Sequence, residues 1–355
     1  MKPAKGELHA VALTRGGAAT AARLAESLGA TLHLPERIAS GFAGSSPFAE
    51  PFAALLARLW AKGNGLMLVM AAGIAVRASA PLLKSKYEDP ALVVLDPGGL
   101  FCVSLLSGHL GGANDLAREA ARITGGQAVI TTATDAAGVV AVEVWAADVG
   151  LAIENPGMVA AVNGALADGE PVALYIDPEL ASPSAVVALA PHLALETTDL
   201  GEFEAAGGAR IALTHRYPGP SGALLLRPRV LALGAGARKG ANSLDAPGEM
   251  VRALRLAGYS ELSAAHLSTI DLKENEEALN ALADLLGVGM ITFDSEALNS
   301  VATPNPSERV RKAVGAPAVA EASAILASCG GKLLMEKTAG RDWTLAAALI
   351  KGCGR

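Results

Sequence analysis

The sequence predicts an α/β protein with open, mostly parallel sheets in its N- and C-terminal domains and a smaller α/β middle domain. The first observation behind this prediction is that short apolar runs alternate with Ala- and Leu-rich segments of helical periodicity. The second is that unbroken runs such as Leu66–Ala71 are typical of strands buried on both faces of a parallel sheet. The third is that 51% of the residues are hydrophobic but only 4% are aromatic, which favours a core of helices and buried strands.

The N-terminal domain, residues 1–133, is predicted from six strands and the helical segments between them. The predicted strands are Leu8–Leu13, Ala30–Leu34, Leu66–Ala71, Ala91–Leu95, Leu100–Leu105 and Gln127–Thr132, and the predicted helices end at Leu28, Leu59, Ser79 and Ile123. The turn Asp96–Gly99 has the composition of a hairpin. This order predicts an open sheet whose strand ends present Gly-rich loops.

The rest of the chain is predicted to form a middle domain, residues 134–217, a linker, residues 218–227, and a C-terminal domain, residues 228–355. The linker is inferred from two Pro and two Gly in Tyr217–Gly222. The predicted strands are Val172–Ile176, Ala209–Thr214, Arg229–Leu233, His266–Ile270, Met290–Phe293, Leu333–Lys337 and Thr344–Ile350, and the predicted helices are Pro156–Leu166, Ala246–Leu256, Asn275–Leu286 and Ala318–Ala327.

Charge and composition exclude several classes of function. A net charge of −6 and a pI near 5.6 argue against a nucleic-acid-binding protein. The apolar run Leu66–Ala72 is too short to span a bilayer, and no signal-like apolar segment follows Lys5. The three cysteines form no Cys-x-x-Cys pair, so we expect reduced thiols and no protein-bound metal. We therefore predict a cytoplasmic protein without membrane or nucleic-acid partners.

The segment Ser107–Asn114 is the strongest local signal for a site, because it follows a predicted strand and precedes a helix. Its glycines allow a ligand to approach the backbone closely, and the amides that open the helix could hold an anion. His109 could act as an acid or a base near neutral pH. The alternative is a turn histidine that caps the helix.

Gly234–Gly240 is predicted to be a Gly-rich loop that binds an anion. Its spacing is not Gly-x-Gly-x-x-Gly, because the third glycine comes one residue late. Asp271 stands near the position of the acidic residue in a dinucleotide fingerprint, so a nucleotide site stays open. Arg238 and Lys239 add positive charge, which favours a simple anion.

Three further segments carry polar groups at the ends of strands or on apolar helices. Thr131–Asp135 and Ser268–Lys273 could line a cleft at the carboxyl edge of a sheet, or their aspartates could cap helices. Glu321 is a lone carboxylate in a helix of small residues. Its pKa could be raised for acid–base work, or it could pair with a cation.

Together these segments resemble the cobalt-precorrin-5A hydrolase family. The resemblance is carried by Gly73–Arg77, Leu105–Asn114, Ile130–Asp135, Gly234–Gly240, Ser268–Lys273 and Val319–Ala322. It covers most of the chain in the family's order and is weakest over the middle region and the first forty residues or so. Family members often have Cys where this chain has Ala237, so a thiol at that position is not essential here.

The resemblance implies an enzyme of anaerobic cobalamin biosynthesis. Its reaction is hydrolysis of the ring A δ-lactone of cobalt-precorrin-5A, which releases acetaldehyde and gives cobalt-precorrin-5B. Water must be activated, an oxyanion stabilised, and a carbon–carbon bond broken in a retro-aldol sense. The cobalt macrocycle can accept the electrons, so the resemblance implies no cofactor bound by the protein itself.

Roles for individual residues follow from the resemblance and the motifs together. We predict His109 or Glu321 as the general base, with loop amides of Gly111 and Gly112, or of Gly234 and Gly236, holding the oxyanion. The predicted substrate-binding residues are Arg77, Ser107, Gly108, Gly111, Gly112, Asn114, Thr132, Thr134, Asp135, Gly234, Gly236, Arg238, Lys239 and Lys273. The cations among them would pair with the acetate and propionate groups of the substrate.

Two other functions stay open from the sequence. The first is a non-catalytic protein that binds a corrinoid intermediate and carries it between enzymes. The second is a nucleotide-dependent α/β enzyme that uses the Gly234 loop, although the chain has no Lys-Ser/Thr phosphate loop. Other enzymes of the corrin pathway are candidate partners, and a homodimer is the base-rate expectation.

Overall fold

The computed structural model describes residues 6–86, 88–109, 111–180 and 190–351. The chain divides into two compact units, Met1–Trp145 and Ala146–Arg355. The first unit holds one sheet, and the second holds the sheets of the middle and C-terminal regions. Each sheet is mixed and interleaved with helices, so the predicted fold class is confirmed.

The N-terminal unit alternates strands and helices in the predicted order. Its strands are β1 (Leu8–Ala12), β2 (Thr31–Pro35), β3 (Ser46–Phe48), β4 (Gly65–Val69), β5 (Ala91–Leu95), β6 (Phe101–Leu106) and β7 (Gln127–Val129). Its helices are α1 (Arg15–Leu28), α2 (Glu36–Ala39), α3 (Phe52–Leu59), α4 (Ala72–Ser79), α5 (Ala113–Thr124) and α6 (Ala133–Ala137), and α7 (Val142–Asp148) spans the division between the units.

The strand order in this sheet is β3-β2-β1-β4-β5-β6-β7. Neighbouring strands are parallel except β5 and β6, which the predicted hairpin joins. Asp96 closes that turn by accepting hydrogen bonds from the amides of Gly98, at 2.9 Å, and Phe101, at 2.7 Å. Every residue of β4 and β5 is buried, because helices cover both faces of the sheet.

Two apolar layers hold these helices on the sheet. Leu24 of α1 and Leu116 of α5 pack in the core on one face. Leu55 and Leu56 of α3 pack on the other face, against strand residues such as Leu68. The order of strands reverses beside β1, since β2 lies on one side and β4 on the other. The loops after β6 and β7 extend from the side of the sheet opposite β3.

The middle region forms a second sheet with the order β10-β9-β11-β12-β8. Its elements are β8 (Leu151–Ile153), α8 (Val159–Asp168), β9 (Val172–Ile176), β10 (Leu195–Thr197), α9 (Leu200–Ala205), β11 (Ala209–Leu213) and β12 (Leu224–Pro228). The strands are parallel except for β8, which pairs antiparallel with β12. The predicted linker, residues 218–227, is wrong from Leu224 onward, because those residues belong to β12.

Arg227 explains why that segment cannot be a linker. Its side chain is fully buried, and its Nε donates to Glu154 at 2.5 Å. Its Nη1 donates to the carbonyl oxygens of Thr214, at 2.9 Å, and Arg216, at 2.6 Å. Ser260, in the C-terminal region, donates to the same Glu154 at 3.3 Å. A buried guanidinium that is paired in this way anchors the segment in a core.

The C-terminal region forms a third sheet with the order β15-β14-β13-β17-β16. Its strands are β13 (Leu231–Ala237), β14 (Ala264–Ile270), β15 (Gly289–Phe293), β16 (Leu333–Ala339) and β17 (Trp343–Leu349). Its helices are α10 (Ala246–Leu256), α11 (Glu277–Leu286), α12 (Ser295–Asn299), α13 (Glu308–Val314) and α14 (Ala320–Ala327). β13 to β15 are parallel, and β17 pairs antiparallel with both β13 and β16.

The prediction of a Gly-rich loop from Gly234 is wrong, because β13 continues to Ala237. Gly234 is needed for close packing instead. A Cβ at this position would lie 1.8 Å from the carbonyl oxygen of Ala320 and 2.7 Å from the amide nitrogen of Ala324. Helix α14 can therefore lie on β13 only where the strand has no side chain.

Two further observations concern the predictions from composition. Among the residues that the structure describes, no helix is both long and apolar enough to cross a membrane. Cys102 is a free, buried cysteine. Cys329 is disulfide-bonded, which differs from the expectation of reduced thiols.

Replacing Gly234 with alanine should destabilise the C-terminal region by about 1–3 kcal/mol, because the added methyl group overlaps the backbone of α14. The measurement is the free energy of unfolding from urea titration. Gly248→Ala in α10 is the matched control, since a Cβ there meets no atom within 4 Å. Equal stability of the two variants would contradict this account of Gly234.

Candidate functional site

The loop between β6 and α5 has a strained start. Ser107 has a φ of +56°, a left-handed backbone conformation that residues other than Gly rarely adopt. The loop then closes on itself through three backbone hydrogen bonds. The amide of Gly112 donates to the carbonyl of His109 at 2.9 Å, that of Ala113 to Ser107 at 3.1 Å, and that of Asn114 to Gly108 at 2.9 Å.

Two glycines in this loop are required by close contacts. A Cβ on Gly108 would lie 2.7 Å from the Oδ1 of Asn114, and one on Gly111 would lie 2.4 Å from the Cβ of Ser107. The amide of Gly112 is already used inside the loop. The geometry therefore gives no support to Gly112 as an oxyanion donor and assigns these glycines to the shape of the loop.

The loop places His109 between two carboxylates. Its Nδ1 lies 3.0 Å from the Oε1 of Glu143, and its Nε2 lies 3.2 Å from the Oδ2 of Asp135. The hydroxyl of Thr134 lies 3.1 Å from the same Nε2. Glu143 is 3% exposed, so its interaction with the imidazole is little screened by water.

These neighbours shift the ionisation of the imidazole. The hydrogen bond to Glu143 is the largest influence and raises the pKa of His109 above its ordinary value. Burial opposes this shift, and Asp135 adds to it. His109 can therefore hold a proton at a pH where a free histidine has begun to lose it.

Asp135 collects hydrogen bonds from several parts of the unit. Its carboxylate accepts from the Nδ2 of Asn114 at 2.9 Å, from the Nη2 of Arg118 at 2.5 Å, and from the hydroxyl of Thr132. Burial raises the pKa of Asp135, but the bonds from Thr132 and Arg118 outweigh it, and the pKa is lowered overall. Asp135 therefore stays charged beside His109.

A small cleft of about 210 Å³ opens at this cluster. The polar residues that line it are Gly108, His109, Asn114, Asp115, Arg118, Thr134 and Asp135, and the apolar ones are Val139, Val140, Ala141 and Val144. The structure thus brings together the predicted residues of the loop after β6 and the segment after β7. A histidine that a carboxylate orients at a cleft can move a proton to or from a bound molecule.

Sequence reasoning missed two members of this cluster. Glu143 is the one charged residue between Asp135 and Asp148, and a lone carboxylate in an apolar stretch was the signal that could have identified it. Arg118 follows Asn114 by four residues on α5 and so lies on the same face of that helix.

Five predicted substrate-binding residues of this unit lie outside the lining of the cleft, namely Arg77, Ser107, Gly111, Gly112 and Thr132. Arg77 is exposed on α4, and its Nη1 donates to the carbonyl of Gly73 at 3.0 Å. Ser107 donates through its hydroxyl to the carbonyl of Asp89 at 3.0 Å, which fixes the start of the loop. Neither side chain lines the cleft beside His109.

Four of the five substrate-binding residues predicted in the C-terminal region line a second cleft, of about 550 Å³. Gly236, Arg238, Lys239 and Lys273 are all part of its lining, whereas Gly234 is buried under α14. Arg238 pairs with Asp342 through an Nη1–Oδ1 distance of 3.0 Å. Because Gly234 lies in β13 between β14 and β17, its amide is not placed to hold an oxyanion.

Glu321 lies outside that lining and is fully buried. Its carboxylate accepts hydrogen bonds from the backbone amide of Asn305 at 3.1 Å, from the Nδ2 of Asn305 at 2.7 Å, and from the amide of Lys337 at 2.9 Å. A carboxylate held in this way without contact to solvent cannot activate a water molecule. The geometry favours a structural role for Glu321 over the predicted catalytic one.

Within the described part of the chain, no group of three or more His, Cys, Asp or Glu side chains is arranged to hold a metal ion.

Glu143→Gln should lower the pKa of His109, because the largest cause of its raised value is removed. The measurement is a titration of the His109 ring signals by NMR, assigned with His109→Gln. Since the folded-state pKa is raised, the pair stabilises the fold below the unfolded pKa and loses this effect as pH rises through the folded pKa. The stability difference between wild type and Glu143→Gln should therefore shrink with rising pH.

Glu119→Gln is the control for this titration. Glu119 also lies in the N-terminal unit, but it pairs with Arg122 at 2.6 Å on the exposed face of α5. Its replacement should leave the His109 titration unchanged. An unaltered pKa in Glu143→Gln would show that Glu143 does not control the imidazole.

Comparison with known proteins gives matches along most of the chain. Residues 54–135 match the family described as Cobalamin synthesis G N-terminal. Residues 140–228 match the Cobalamin biosynthesis central region, and residues 231–348 match the Cobalamin synthesis G C-terminus. A solved structure titled as a putative cobalamin biosynthesis protein G homolog from Sulfolobus solfataricus aligns over 99% of both chains, with 20% identity and a TM-score of 0.37.

Two relatives carry the name cobalt-precorrin-5A hydrolase. The one from Priestia megaterium is 31% identical over 83% of this chain and 81% of its own length. The one from Salmonella typhimurium is 32% identical over 92% of this chain and 93% of its own length. The resemblance predicted from the motifs is confirmed, and the chain belongs to the cobalt-precorrin-5A hydrolase family of cobalamin biosynthesis.

Proposed function

We propose that the chain hydrolyses the ring A δ-lactone of cobalt-precorrin-5A, releasing acetaldehyde and giving cobalt-precorrin-5B, with His109 as the proton-transfer residue. The observation that carries this assignment is the arrangement of the imidazole. One ring nitrogen lies on the buried Glu143, and the other lies at a cleft beside Asp135 and Thr134. Membership of the family supplies the substrate class.

The hydrolytic step needs a base and then an acid. In the neutral tautomer that we infer, Nδ1–H of His109 donates to Glu143, and Nε2 accepts a hydrogen bond from the hydroxyl of Thr134. A water molecule that takes the place of this hydroxyl can give its proton to Nε2. The hydroxide equivalent adds to the lactone carbonyl. The carbon–oxygen bond of the ring then breaks, and the proton held on His109 passes to the departing oxygen. A carboxylic acid and a hydroxyl group result, so atoms and charge balance.

The raised pKa of His109 suits this sequence of proton transfers. The carboxylates on either side of the imidazole stabilise the imidazolium that forms when water is deprotonated. Thr134 and Asp135 lie at the same nitrogen and are placed to orient the attacking water. Asp135 stays charged throughout because Arg118 pairs with it at 2.5 Å.

Loss of acetaldehyde follows lactone opening as a retro-aldol step. The freed hydroxyl group gives up its proton to the neutral imidazole of His109, its carbon becomes the carbonyl of acetaldehyde, and the bond to the macrocycle breaks. The electron pair passes to the cobalt macrocycle. We propose that the protein adds no metal or organic cofactor of its own, and that cobalt arrives within the substrate.

His109→Gln should reduce the rate of acetaldehyde release by about 100- to 10,000-fold, the range for loss of a general acid–base group. The measurement is anaerobic incubation with cobalt-precorrin-5A, followed by assays for acetaldehyde and for the mass of the product. His192→Gln is the control, because His192 lies in a short turn of helix in the other unit. Its rate should match that of the wild type.

Two outcomes would contradict the proposal. Full activity of His109→Gln would remove His109 from the reaction while leaving the family assignment intact. Tight corrinoid binding by the wild type without acetaldehyde would instead favour the carrier function.

A further inference from the structure

Positive charge is concentrated at the 550 Å³ cleft of the C-terminal sheet. The cationic residues in its lining are Arg238, Lys239, Lys273, Arg309, Lys337 and Arg341. Asp342 is the one carboxylate among the lining residues. The chain as a whole has a net charge of −6, so this cleft is a local reversal of the overall charge. Such a reversal favours anionic ligands.

The six cations differ in how far they are already engaged. Arg238 pairs with Asp342, the Nζ of Lys273 donates to the carbonyl of Ala237 at 2.6 Å, and that of Lys337 donates to the carbonyl of Asn305 at 2.8 Å.

Two of the other cations, Lys239 and Arg309, have fewer partners within the protein. Among the described residues, no carboxylate lies within 4.0 Å of the side-chain nitrogens of Lys239 or Arg309. These two residues come from different elements, the turn after β13 and the helix α13. They are available to pair with a ligand.

The remaining lining of the cleft is largely apolar. It includes Val310 and Val314 of α13, Pro317, Val319 and Trp343. The indole of Trp343 is 7% exposed and fixed by a hydrogen bond of 2.7 Å from its Nε1 to Glu249. An apolar wall with cations around it matches a flat hydrophobic ring that carries carboxylate arms.

Glu321 fixes one wall of this cleft. Its three hydrogen bonds tie Asn305, in the segment before α13, to Lys337 in β16. The amide of Ser307 adds a bond of 2.7 Å to the carbonyl of Pro317. The short helix α13 has no buried residues, so these bonds at its ends hold Arg309 in place.

We propose that this cleft binds the acetate and propionate arms of cobalt corrinoids, and that it recognises their carboxylates rather than the lactone. The identity of the ligand class rests on the proposed function. No histidine lines the cleft, so it offers charge and an apolar wall but no proton-transfer group of that kind. Substrate, lactone-opened product and other polycarboxylate corrinoids therefore bind there alike.

The test is calorimetric titration of the full-length protein with two probes. The first probe, cobyrinic acid, is a cobalt corrinoid with several free carboxylates and no lactone. The second probe is cobinamide, in which these carboxylates are replaced by amides. We expect cobyrinic acid to bind at least about tenfold more tightly, with an affinity that falls as salt is raised. Quenching of Trp343 fluorescence, assigned with Trp343→Phe, provides a second readout at the cleft.

The double variant Lys239→Gln, Arg309→Gln should weaken cobyrinic acid binding about tenfold or more. Both residues are exposed, so the fold is retained, and a melting curve checks this. Arg311→Gln is the matched control on the same helix, because Arg311 pairs with Glu308 and does not line the cleft. Its affinity should equal that of the wild type.

Equal binding of cobinamide and cobyrinic acid, or wild-type affinity in the double variant, would overturn the proposal. These outcomes are independent of the acetaldehyde assay. If cobyrinic acid binding depends on Lys239 and Arg309 but no acetaldehyde forms, the cleft assignment stands and the hydrolytic function fails. If acetaldehyde forms but the affinity for cobyrinic acid does not depend on these cations, only the cleft assignment fails.

Discussion

The carboxylate of Asp135 is the interaction on which the N-terminal site depends. It receives hydrogen bonds from Asn114 and Arg118 on α5 and from Thr132 after β7, and it contacts His109 from the loop after β6. Hydrogen bonds to a charged group each contribute about 1.5–3 kcal/mol. One charged side chain thus holds three chain segments together, and this contact gives the imidazole a defined position.

The C-terminal region uses a carboxylate for a related purpose but in a different setting. Glu321 is fully buried and satisfied by backbone and amide donors, whereas the Asp135 side chain is 23% exposed and lies at a cleft. Burial without access to water makes a carboxylate an anchor for the chain. Partial exposure beside a titratable ring makes it part of a site for chemistry. Solvent access therefore separates the two roles more clearly than residue type does.

The features that sequence could predict are those with a local cause. The apolar runs of β4 and β5 and the hairpin turn at Asp96 depend on neighbouring residues, and they were predicted correctly. Gly234 was wrongly assigned to a loop, because a glycine can allow either a turn of the backbone or the close approach of a helix. Only the tertiary packing shows that Gly234 allows a close helix contact. Glu143 reaches His109 across 34 residues, a distance in sequence over which no periodicity carries information.

Gly234 has a further consequence for the C-terminal cleft. Because α14 rests directly on the backbone of β13, it cannot sink further towards the sheet, and residues at its start, Val319 and Ala320, line the cleft. The depth of the cleft is therefore set by the thickness of a backbone and not by side chains that could rearrange. A cleft wall that is fixed in this way reorganises little when a ligand binds, so little affinity is lost to rearrangement of the protein.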